Sequence, residues 1–357
     1  MLLRFALLAS PPALLIALLS HHAQLPIWLS FMLLFGLLLA AGTLGALSQA
    51  RRDAARAHSF GQYTLVRKIG EGGMGVVYEA SHALLRRPTA IKLLRRSAES
   101  SAQAGAEALL RFEREVQLTS QLSHPNTVVI YDYGRTDEGV FYYAMEYIDG
   151  VDLERLVRVD GALSAARLIH LALQICGSLA EAHQKSLIHR DIKPANLLVC
   201  ERGGVPDTIK VLDFGLIKRL DGPVVSGSHV LVGTPLYMAP EVRADPTRAS
   251  KRSDIYSLGA VLYWLATGQT MQEAALVTDQ TAALPVDLER VILRCTEPDP
   301  CERPESMEEL AAELRQCRAY NGWSLDDARD YWNERGKRLS RVLSEPAAPG
   351  ARTVTAS

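Results

Sequence analysis

The sequence predicts an α+β fold in which a small β-rich lobe is followed by a larger α-helical lobe, with a hairpin of two transmembrane helices in front of both. Three observations predict this architecture. The apolar residues are concentrated before residue 48, strand-like alternation begins near Phe60, and segments with helical periodicity follow as far as about Leu314. A length of 357 residues suits either two domains or one large bilobal unit.

Two apolar runs, Met1–Leu19 and Leu25–Leu47, form the predicted hairpin. A hydrocarbon core of about 30 Å needs roughly 20 helical residues, and the second run satisfies this requirement without a charged residue. The first run is interrupted by a Pro-Pro pair, which membrane helices tolerate. The polar link Ser20–Gln24 suits a tight turn, so the sequence predicts that the lipid bilayer is a partner of this chain.

Positive charges flank the two runs and set their predicted orientation. Arg4 precedes the first run, and Arg51, Arg52 and Arg56 follow the second. The excess of arginine on these flanks places both ends of the hairpin in the cytoplasm. In the alternative interpretation the first run is a cleaved signal peptide and only the second run spans the bilayer. In both interpretations the remainder of the chain is cytoplasmic.

The charge balance and the cysteines exclude several classes of protein. The formal net charge is −1, so no basic field predicts a nucleic-acid partner. The chain has five cysteines, and their spacing fits no metal-binding motif. We therefore expect reduced thiols in a reducing compartment.

A glycine-rich stretch, Lys68–Ala80, carries the pattern Gly70-x-Gly72-x-x-Gly75. This pattern alone is weak, because it also occurs where a strand turns into a helix in dinucleotide-binding folds. The residues that follow it are β-branched or aromatic, which favours a glycine-rich hairpin between two strands. Backbone N–H groups in such a loop can approach phosphates closely. An ordinary glycine hairpin without a ligand is the alternative.

A lysine interrupts the next apolar strand, Thr89–Leu94. Lys92 is costly to bury unless a charged group pairs with it, although a solvent-facing lysine would need no partner. A segment with helical periodicity follows, and it offers both Glu113 and Glu115 as partners.

Charged and polar residues are concentrated in "HRDIKPANLL", His189–Leu198. Asp191 could accept a proton from a hydroxyl, Lys193 could neutralise a phosphoryl oxygen, and Asn196 offers an oxygen to a hard cation. Asp213, in a DFG triplet 17 residues after Asn196, adds a second oxygen ligand. A base, a lysine and two oxygen ligands are what phosphoryl transfer requires.

With these motifs the chain resembles the eukaryotic-like (Hanks-type) serine/threonine protein kinases of bacteria. The resemblance covers about Phe60–Leu314, and the motifs GEGGMG, AIK, a helix glutamate, HRDIKPAN, DFG, GTPLYMAPE, SDIYSLG and ERP occur in the family's order. It implies a bilobal protein-kinase fold and a non-specific serine/threonine protein kinase that uses ATP and Mg²⁺, with Mn²⁺ as a substitute. It also implies a bacterial inner-membrane location and a role in signal transduction.

The resemblance assigns roles to individual residues. Asp191 is the catalytic base, Lys193 contacts the transferring phosphoryl group, and Lys92 grips the α- and β-phosphates. The glutamate that pairs with Lys92 is expected to be Glu115 rather than Glu113, because of its distance from the "HPN" motif. The metal ligands implied are Asn196 and Asp213.

The nucleotide pocket follows from the same resemblance. A glycine-rich loop would cover the phosphates, a hinge that starts at a gatekeeper methionine would contact adenine, and four apolar side chains would enclose the ring. For the loop these are Gly70, Glu71, Gly72, Gly73, Met74 and Gly75; for the hinge, Met145, Glu146 and Ile148; and for the ring, Ile69, Val77, Ala90 and Leu198. A buried pair between Glu241 and Arg303 is expected to brace the lower lobe.

Regulation is predicted from the activation loop, Leu216–Val232, which offers only Ser226 and Ser228 as hydroxyls. We expect phosphate on one of these serines to order the loop through Arg190, because a guanidinium binds phosphate in a fork. A homodimer would allow this autophosphorylation in trans. Thr234 in "GTP" and the lysine in "DIKPAN" are typical of kinases that act on serine and threonine of protein substrates.

The predicted organisation has four parts: a helical hairpin over 1–47, a juxtamembrane linker over 48–59, a kinase domain over 60–315, and a C-terminal helix with a disordered tail over 316–357. The helix is predicted over Ser324–Leu339, either packed on the lower lobe or free to dock a partner. The region after Gln269 is shorter than in the family and lacks its Pro-Phe pair.

Two alternatives to an active protein kinase remain at this point. A pseudokinase scaffold would bind nucleotide and partners without turnover, but it would not need the complete catalytic set. A small-molecule kinase of the same fold would not need the "GTPLYMAPE" segment, which in the family shapes the floor of the peptide site.

Overall fold

The computed structural model describes residues 59–60, 62–72, 75–94, 113, 116–136, 139–214, 235–274 and 284–344. The predicted transmembrane hairpin, nearly all of the juxtamembrane linker and the tail beyond residue 344 lie outside these residues. Within the described ranges, no helix combines the length and the apolar character needed to cross a bilayer.

The chain divides into two compact bodies, and the smaller one comprises residues 1–65 and 81–86. In its described part, strand β1 (Ser59–Phe60) pairs antiparallel with the first residues of β2 (Tyr63–Gly72). The buried ring of Tyr63 meets the ring of His82 edge-on, with 5.2 Å between the ring centroids. This contact gives the short strand pair an apolar anchor.

The larger body begins with a strand-rich region that holds the rest of β2, most of β3 (Gly75–His82) as far as Ala80, β4 (Pro88–Leu94), β5 (Ile130–Arg135) and β6 (Phe141–Glu146). Its strands follow the order β2-β3-β4-β6-β5, and the β4–β6 and β5–β6 pairs are antiparallel. Alternate side chains of β4 and β6 point to one face, where they form a small apolar core with a helix at residues 116–120, here α1. This core contains Ala90, Leu94, Val116, Val128, Ile130, Tyr143 and Met145.

The remainder of the larger body is mostly helical, as the sequence predicts. Its helices are α2 (Leu153–Asp160), α3 (Ala165–Gln184), α4 (Pro240–Ala244), α5 (Lys251–Thr267), α6 (Met271–Ala274), α7 (Val286–Cys295), α8 (Met307–Gln316) and α9 (Leu325–Ser344). They enclose a second apolar core in which the central turns of α3 and α5 are almost completely buried. All five cysteines are free thiols. The reducing compartment stays a prediction.

Local sequence signals explain where the two central helices begin and end. The hydroxyl of Ser164 accepts a hydrogen bond from the backbone N–H of Arg167 and so caps α3. Ser250 and Ser253 form a capping box at the start of α5. Gly268 ends α5 in the left-handed conformation, with φ of 74°, which glycine adopts at little cost.

A second, three-stranded sheet lies among the helices and positions the functional residues. Its strands β7 (Gly150–Asp152), β8 (Leu197–Arg202) and β9 (Val205–Val211) are antiparallel, in the order β7-β8-β9. The β8–β9 turn consists of Gly203 and Gly204, whose φ angles of 57° and 79° favour glycine. This hairpin joins the "HRDIKPAN" segment before β8 to the DFG triplet after β9.

The C-terminal helix α9 packs against the rest of the larger body. It extends to Ser344, beyond the predicted end at Leu339. The indole N–H groups of Trp323 and Trp332 donate hydrogen bonds of 3.0 Å and 2.7 Å to the buried carboxylate of Asp207, which Arg167 also grips with two donors. The guanidinium of Arg167 lies 3.7 Å from the ring centroid of Tyr331. Of the two predicted roles for this helix, the packed one is therefore observed.

Candidate active site

The loop between α3 and β8 is held by one buried carboxylate. Asp254, at the start of α5, accepts hydrogen bonds from the backbone N–H of His189 at 2.8 Å and of Arg190 at 2.9 Å. Arg190 has a φ of 65°, a conformation that costs about 1–2 kcal/mol for a residue with a side chain. The carboxylate of Asp254 offsets this cost and fixes the path of the loop.

The imidazole of His189 is completely buried and connects this loop to the DFG segment. Its Nε2–H donates to the carbonyl of Leu212 at 2.9 Å, and its Nδ1 accepts from the N–H of Asp191 at 3.2 Å. Its ring also contacts the ring of Phe214. Burial lowers the pKa of His189, so the neutral form that these two bonds require is the stable one.

The predicted base, phosphoryl-contacting lysine and metal-binding asparagine lie together. Oδ2 of Asp191 is 2.9 Å from Nζ of Lys193 and 3.0 Å from Nδ2 of Asn196. The same amide nitrogen donates to the carbonyl of Asp191 at 2.7 Å. Because the amide nitrogen faces Asp191, the amide oxygen of Asn196 points to the other side, where a cation could bind.

The predicted second metal ligand, Asp213, pairs with Lys92. Nζ of Lys92 is 2.6 Å from Oδ2 of Asp213, and the hydroxyl of Tyr143 donates to Oδ1 at 2.7 Å. Burial raises the pKa of Asp213, but the charge of Lys92 and these two hydrogen bonds lower it more, so the carboxylate is ionised. Burial and the adjacent carboxylate raise the pKa of Tyr143 well above its usual value, so the hydroxyl keeps its proton.

The β8–β9 hairpin brings the two groups of residues together. Leu197 is opposite Val211 in the register, and the N–H of Leu212 donates to the carbonyl of Asn196 at 2.9 Å. Asn196 and Asp213 are thus neighbours across the end of the hairpin. One amide oxygen and one carboxylate are the hard oxygen ligands that Mg²⁺ prefers, so the residues present fit a magnesium ion.

The glycine-rich segment is a hairpin between two strands, as the sequence predicts. β2 ends at Gly72 and β3 begins at Gly75. A Cβ atom on Gly75 would lie 2.0 Å from the backbone oxygen of Leu93, so this position has no room for another residue. The carboxylate of Glu71 forms an ion pair with Lys68.

The predicted adenine-binding residues are only partly brought together. Val77, Ala90 and Met145 belong to one apolar cluster, whereas Ile69 is exposed. Leu198 and Ile148 are half-buried.

The side chain of Glu146, in the predicted hinge, is engaged in ion pairs with other side chains of the protein. Its buried carboxylate is 2.9 Å from Nζ of Lys210 and also contacts Arg202. Any contact of Glu146 with a nucleotide would therefore come from its backbone. A cavity of about 280 Å³ beside it is lined by Ile148, Cys200 and Arg202 among others, and by none of the catalytic groups.

A family model described as the protein kinase domain matches residues 63–322 of this chain. The chain belongs to the protein kinase family. Three relatives of this kinase are the serine/threonine-protein kinases pkn3 of Myxococcus xanthus, PrkC of Bacillus subtilis and PknB of Mycobacterium tuberculosis. They are 35%, 35% and 33% identical to it over 71%, 71% and 74% of its length.

This kinase spans 49%, 40% and 44% of the length of those three relatives, respectively. Among solved structures, it resembles the PknI kinase domain of Mycobacterium tuberculosis, determined as a double mutant. The TM-score is 0.55 at 28% sequence identity, and the match covers 72% of this chain and 96% of that domain. The bilobal arrangement predicted for the kinase region agrees with these matches.

The predicted brace of the kinase's helical region is confirmed. Arg303, which is 1% exposed, donates to both carboxylate oxygens of Glu241 at 2.7 Å and 2.9 Å. Its remaining donors bond the carbonyls of Arg252, Glu297 and Pro298. All five guanidinium donors are thereby used.

Several predicted residues lie outside the described part of the kinase. Glu113 is described, and it is helical and half-buried. The pairing of Lys92 with a helix glutamate therefore stays a prediction, and so does the role of the activation-loop serines. The residues outside are Gly73, Met74, Glu115, Ser226, Ser228 and Thr234.

Three residues of the site were not assigned a role from the sequence. Tyr143 contacts Asp213, Asp254 holds the catalytic loop, and Lys210 holds Glu146. Asp254 lies inside the "SDIYSLG" motif, so a signal for it was present. The contact of Tyr143 depends on strand register: it lies opposite Lys92 in the β4–β6 pair.

Proposed function

We propose that this chain is an ATP-dependent serine/threonine protein kinase that transfers the γ-phosphoryl group of Mg-ATP to hydroxyls of protein substrates in bacterial signal transduction. The main observation behind the proposal is that Lys193 and Asn196 both contact the same carboxylate oxygen of Asp191. A backbone hydrogen bond also joins Asn196 to Leu212, the residue before Asp213. The match to the protein kinase family and the names of the relatives support it.

In the proposed reaction Asp191 accepts the proton of the substrate hydroxyl. The ammonium group of Lys193 neutralises negative charge on the phosphoryl group during transfer, and Lys92 holds the α- and β-phosphates. The buried Asp254 contributes indirectly, because it keeps the backbone that carries Asp191 in place. Positioning of this kind accounts for much of the catalysis in phosphoryl transfer.

Asn196 and Asp213 would hold Mg²⁺, or Mn²⁺ in its place. When bound, the ion would supply positive charge that offsets the negative charge of the phosphoryl group. The low pKa of Asp213 keeps its carboxylate ionised and ready to bind a cation. Val77, Ala90 and Met145 would form the apolar wall for adenine.

Regulation by autophosphorylation is part of the proposal. Phosphate on Ser226 or Ser228 would bind the guanidinium of Arg190 and order the activation loop. Mass spectrometry of the purified kinase after incubation with ATP should detect phosphate on one of these serines. A fully active enzyme with both serines unmodified would contradict this mechanism.

We further propose that residues 1–47 anchor the kinase in the bacterial inner membrane with residues 60–315 in the cytoplasm. Their apolar composition supports this placement. A dimer formed in the plane of the membrane would allow one copy to phosphorylate the activation loop of the other. Fractionation of membranes with carbonate, which retains only spanning proteins, tests the anchor.

The test of the activity is transfer of radiolabel from ATP to a generic basic protein, with Asp191→Asn as the control. We expect label on serine or threonine with the wild type and very little with the variant. Equal inactivity of both proteins would favour a nucleotide-binding scaffold. Label on small molecules without label on protein would favour a small-molecule kinase. A phosphoproteome comparison of wild-type and Asp191→Asn strains would identify substrates.

A further inference from the structure

The carboxylate of Asp213 has a hydrogen-bond donor on each oxygen, and both donors come from the neighbouring strands β4 and β6. Lys92 on β4 contacts Oδ2 at 2.6 Å, and Tyr143 on β6 contacts Oδ1 at 2.7 Å. Lys92 and Tyr143 lie directly opposite each other in the antiparallel register, so their side chains leave the sheet on the same face. The site thus contains a tyrosine that the proposed reaction does not yet use.

The hydroxyl of Tyr143 is costly to bury without a partner. The side chain is 2% exposed and its ring belongs to the small apolar core with Ala90 and Met145. A phenylalanine would supply the same apolar contacts without a polar atom to satisfy. The feature that tyrosine adds at this position is therefore the hydrogen bond to Asp213.

The backbone and side-chain torsions of Asp213 explain why its carboxylate needs a donor on each oxygen. Its backbone has a φ of 52°, in the left-handed region that most residues with side chains avoid. The torsion that rotates an aspartate carboxylate is broad, so the backbone alone does not fix the plane of the two oxygens. Donors on both oxygens fix that plane, and each oxygen retains a lone pair for a cation.

We propose that Tyr143 is a positioning residue for the metal-binding carboxylate: its hydroxyl holds Asp213 in the orientation in which it binds the divalent cation of the nucleotide complex. This inference rests on the proposed function, because that function assigns Asp213 to the metal. Hydrogen bonds that orient a metal ligand typically change metal affinity about 10–100-fold when they are removed. The opposite result also has a clear physical meaning. If the hydroxyl of Tyr143 competed with the cation for Asp213, removing the hydroxyl would strengthen cation binding.

The test compares Tyr143→Phe with Tyr142→Phe in the full chain. Tyr142 is the adjacent residue of β6, lies opposite Leu93, and projects to the other face of the sheet, so it is a matched control. Binding of Mn²⁺ is measured from the electron paramagnetic resonance signal of the free ion, with a non-hydrolysable ATP analogue present. Nucleotide affinity without metal is measured in parallel.

We expect Tyr143→Phe to raise the Kd for Mn²⁺ about 10–100-fold and to leave metal-free nucleotide affinity within about twofold, whereas Tyr142→Phe changes neither. Tyr143→Met, which also lacks the hydroxyl but packs differently, should weaken Mn²⁺ to the same extent. An unchanged or tighter Kd in Tyr143→Phe would overturn the proposal. So would a large difference between the Phe and Met variants, because it would assign the effect to packing.

Failure of this inference is distinguishable from failure of the proposed function. If the wild type transfers phosphate and Tyr143→Phe binds Mn²⁺ normally, only the role of Tyr143 is wrong. If the wild type transfers nothing but Tyr143→Phe still weakens Mn²⁺ binding, the metal assignment stands and the proposed activity is wrong.

Discussion

Replacing Trp332 by phenylalanine tests whether the C-terminal helix is an integral part of the folded kinase. The indole N–H of Trp332 donates to Oδ1 of Asp207 at 2.7 Å, and Asp207 is completely buried. A carboxylate accepts about four hydrogen bonds, and Asp207 receives four, two from Arg167 and one from each of Trp323 and Trp332. The substitution removes one of these four donors.

The expected loss follows from that bond. A hydrogen bond to a charged group contributes about 1.5–3 kcal/mol to the free energy of unfolding. Arg167 still grips Asp207 with two donors in the variant, so the loss should stay within this range. A domain of this size loses about 2–4 °C in Tm per kcal/mol, which predicts a decrease of about 3–12 °C.

The assay is urea unfolding of the full chain followed by circular dichroism at 222 nm, because tryptophan fluorescence would itself change. Trp264→Phe is the control: this indole is half-buried in the main core, and within the described ranges it donates to no carboxylate. A free energy of unfolding for Trp332→Phe within 0.5 kcal/mol of wild type would refute the reasoning, since about 1.5 kcal/mol is the least such a bond contributes.

Three further predictions concern the buried supports of the site. Glu241→Gln should destabilise the kinase by about 3–5 kcal/mol in urea unfolding, because Arg303 would remain charged and buried without its partner; a loss below 1 kcal/mol would contradict this. Asp254→Asn should lower kcat by about 10²-fold while nucleotide affinity changes less than twofold, because a displaced loop misplaces the base; unchanged kcat in steady-state assays would be the contrary result. Gly75→Ala should lower the free energy of unfolding by about 3 kcal/mol, because the added methyl overlaps the carbonyl of Leu93. A thermal midpoint equal to that of the wild type would show that the loop has more room.

The sequence predicted the residues whose chemistry is local in the chain. Asp191, Lys193 and Asn196 lie within six positions, so one tight loop brings them together. Asp213 could be added because the strand that precedes it was recognisable. The Glu241–Arg303 pair was predicted only through the family resemblance, since 62 positions separate its members.

Contacts that depend on tertiary geometry could not be predicted in this way. The contact of Tyr143 with Asp213 requires the register of β4 against β6, and a shift by one residue would turn the hydroxyl to the other face. The bonds to Asp207 from Trp323, just before the C-terminal helix, and from Trp332 within it each span more than 100 positions. Periodicity identified that helix as amphipathic, but it contained no information about the carboxylate on which the two tryptophans converge.

The most direct test of the central claim is a single-turnover measurement of phosphoryl transfer with nucleotide bound in advance. Asp191→Asn should slow the transfer step by about 10²–10⁴-fold, the usual contribution of a general base, while the Kd for Mg-ATP stays within about twofold of the wild-type value. A transfer rate in Asp191→Asn equal to that of the wild type would contradict the assignment of Asp191 as the base.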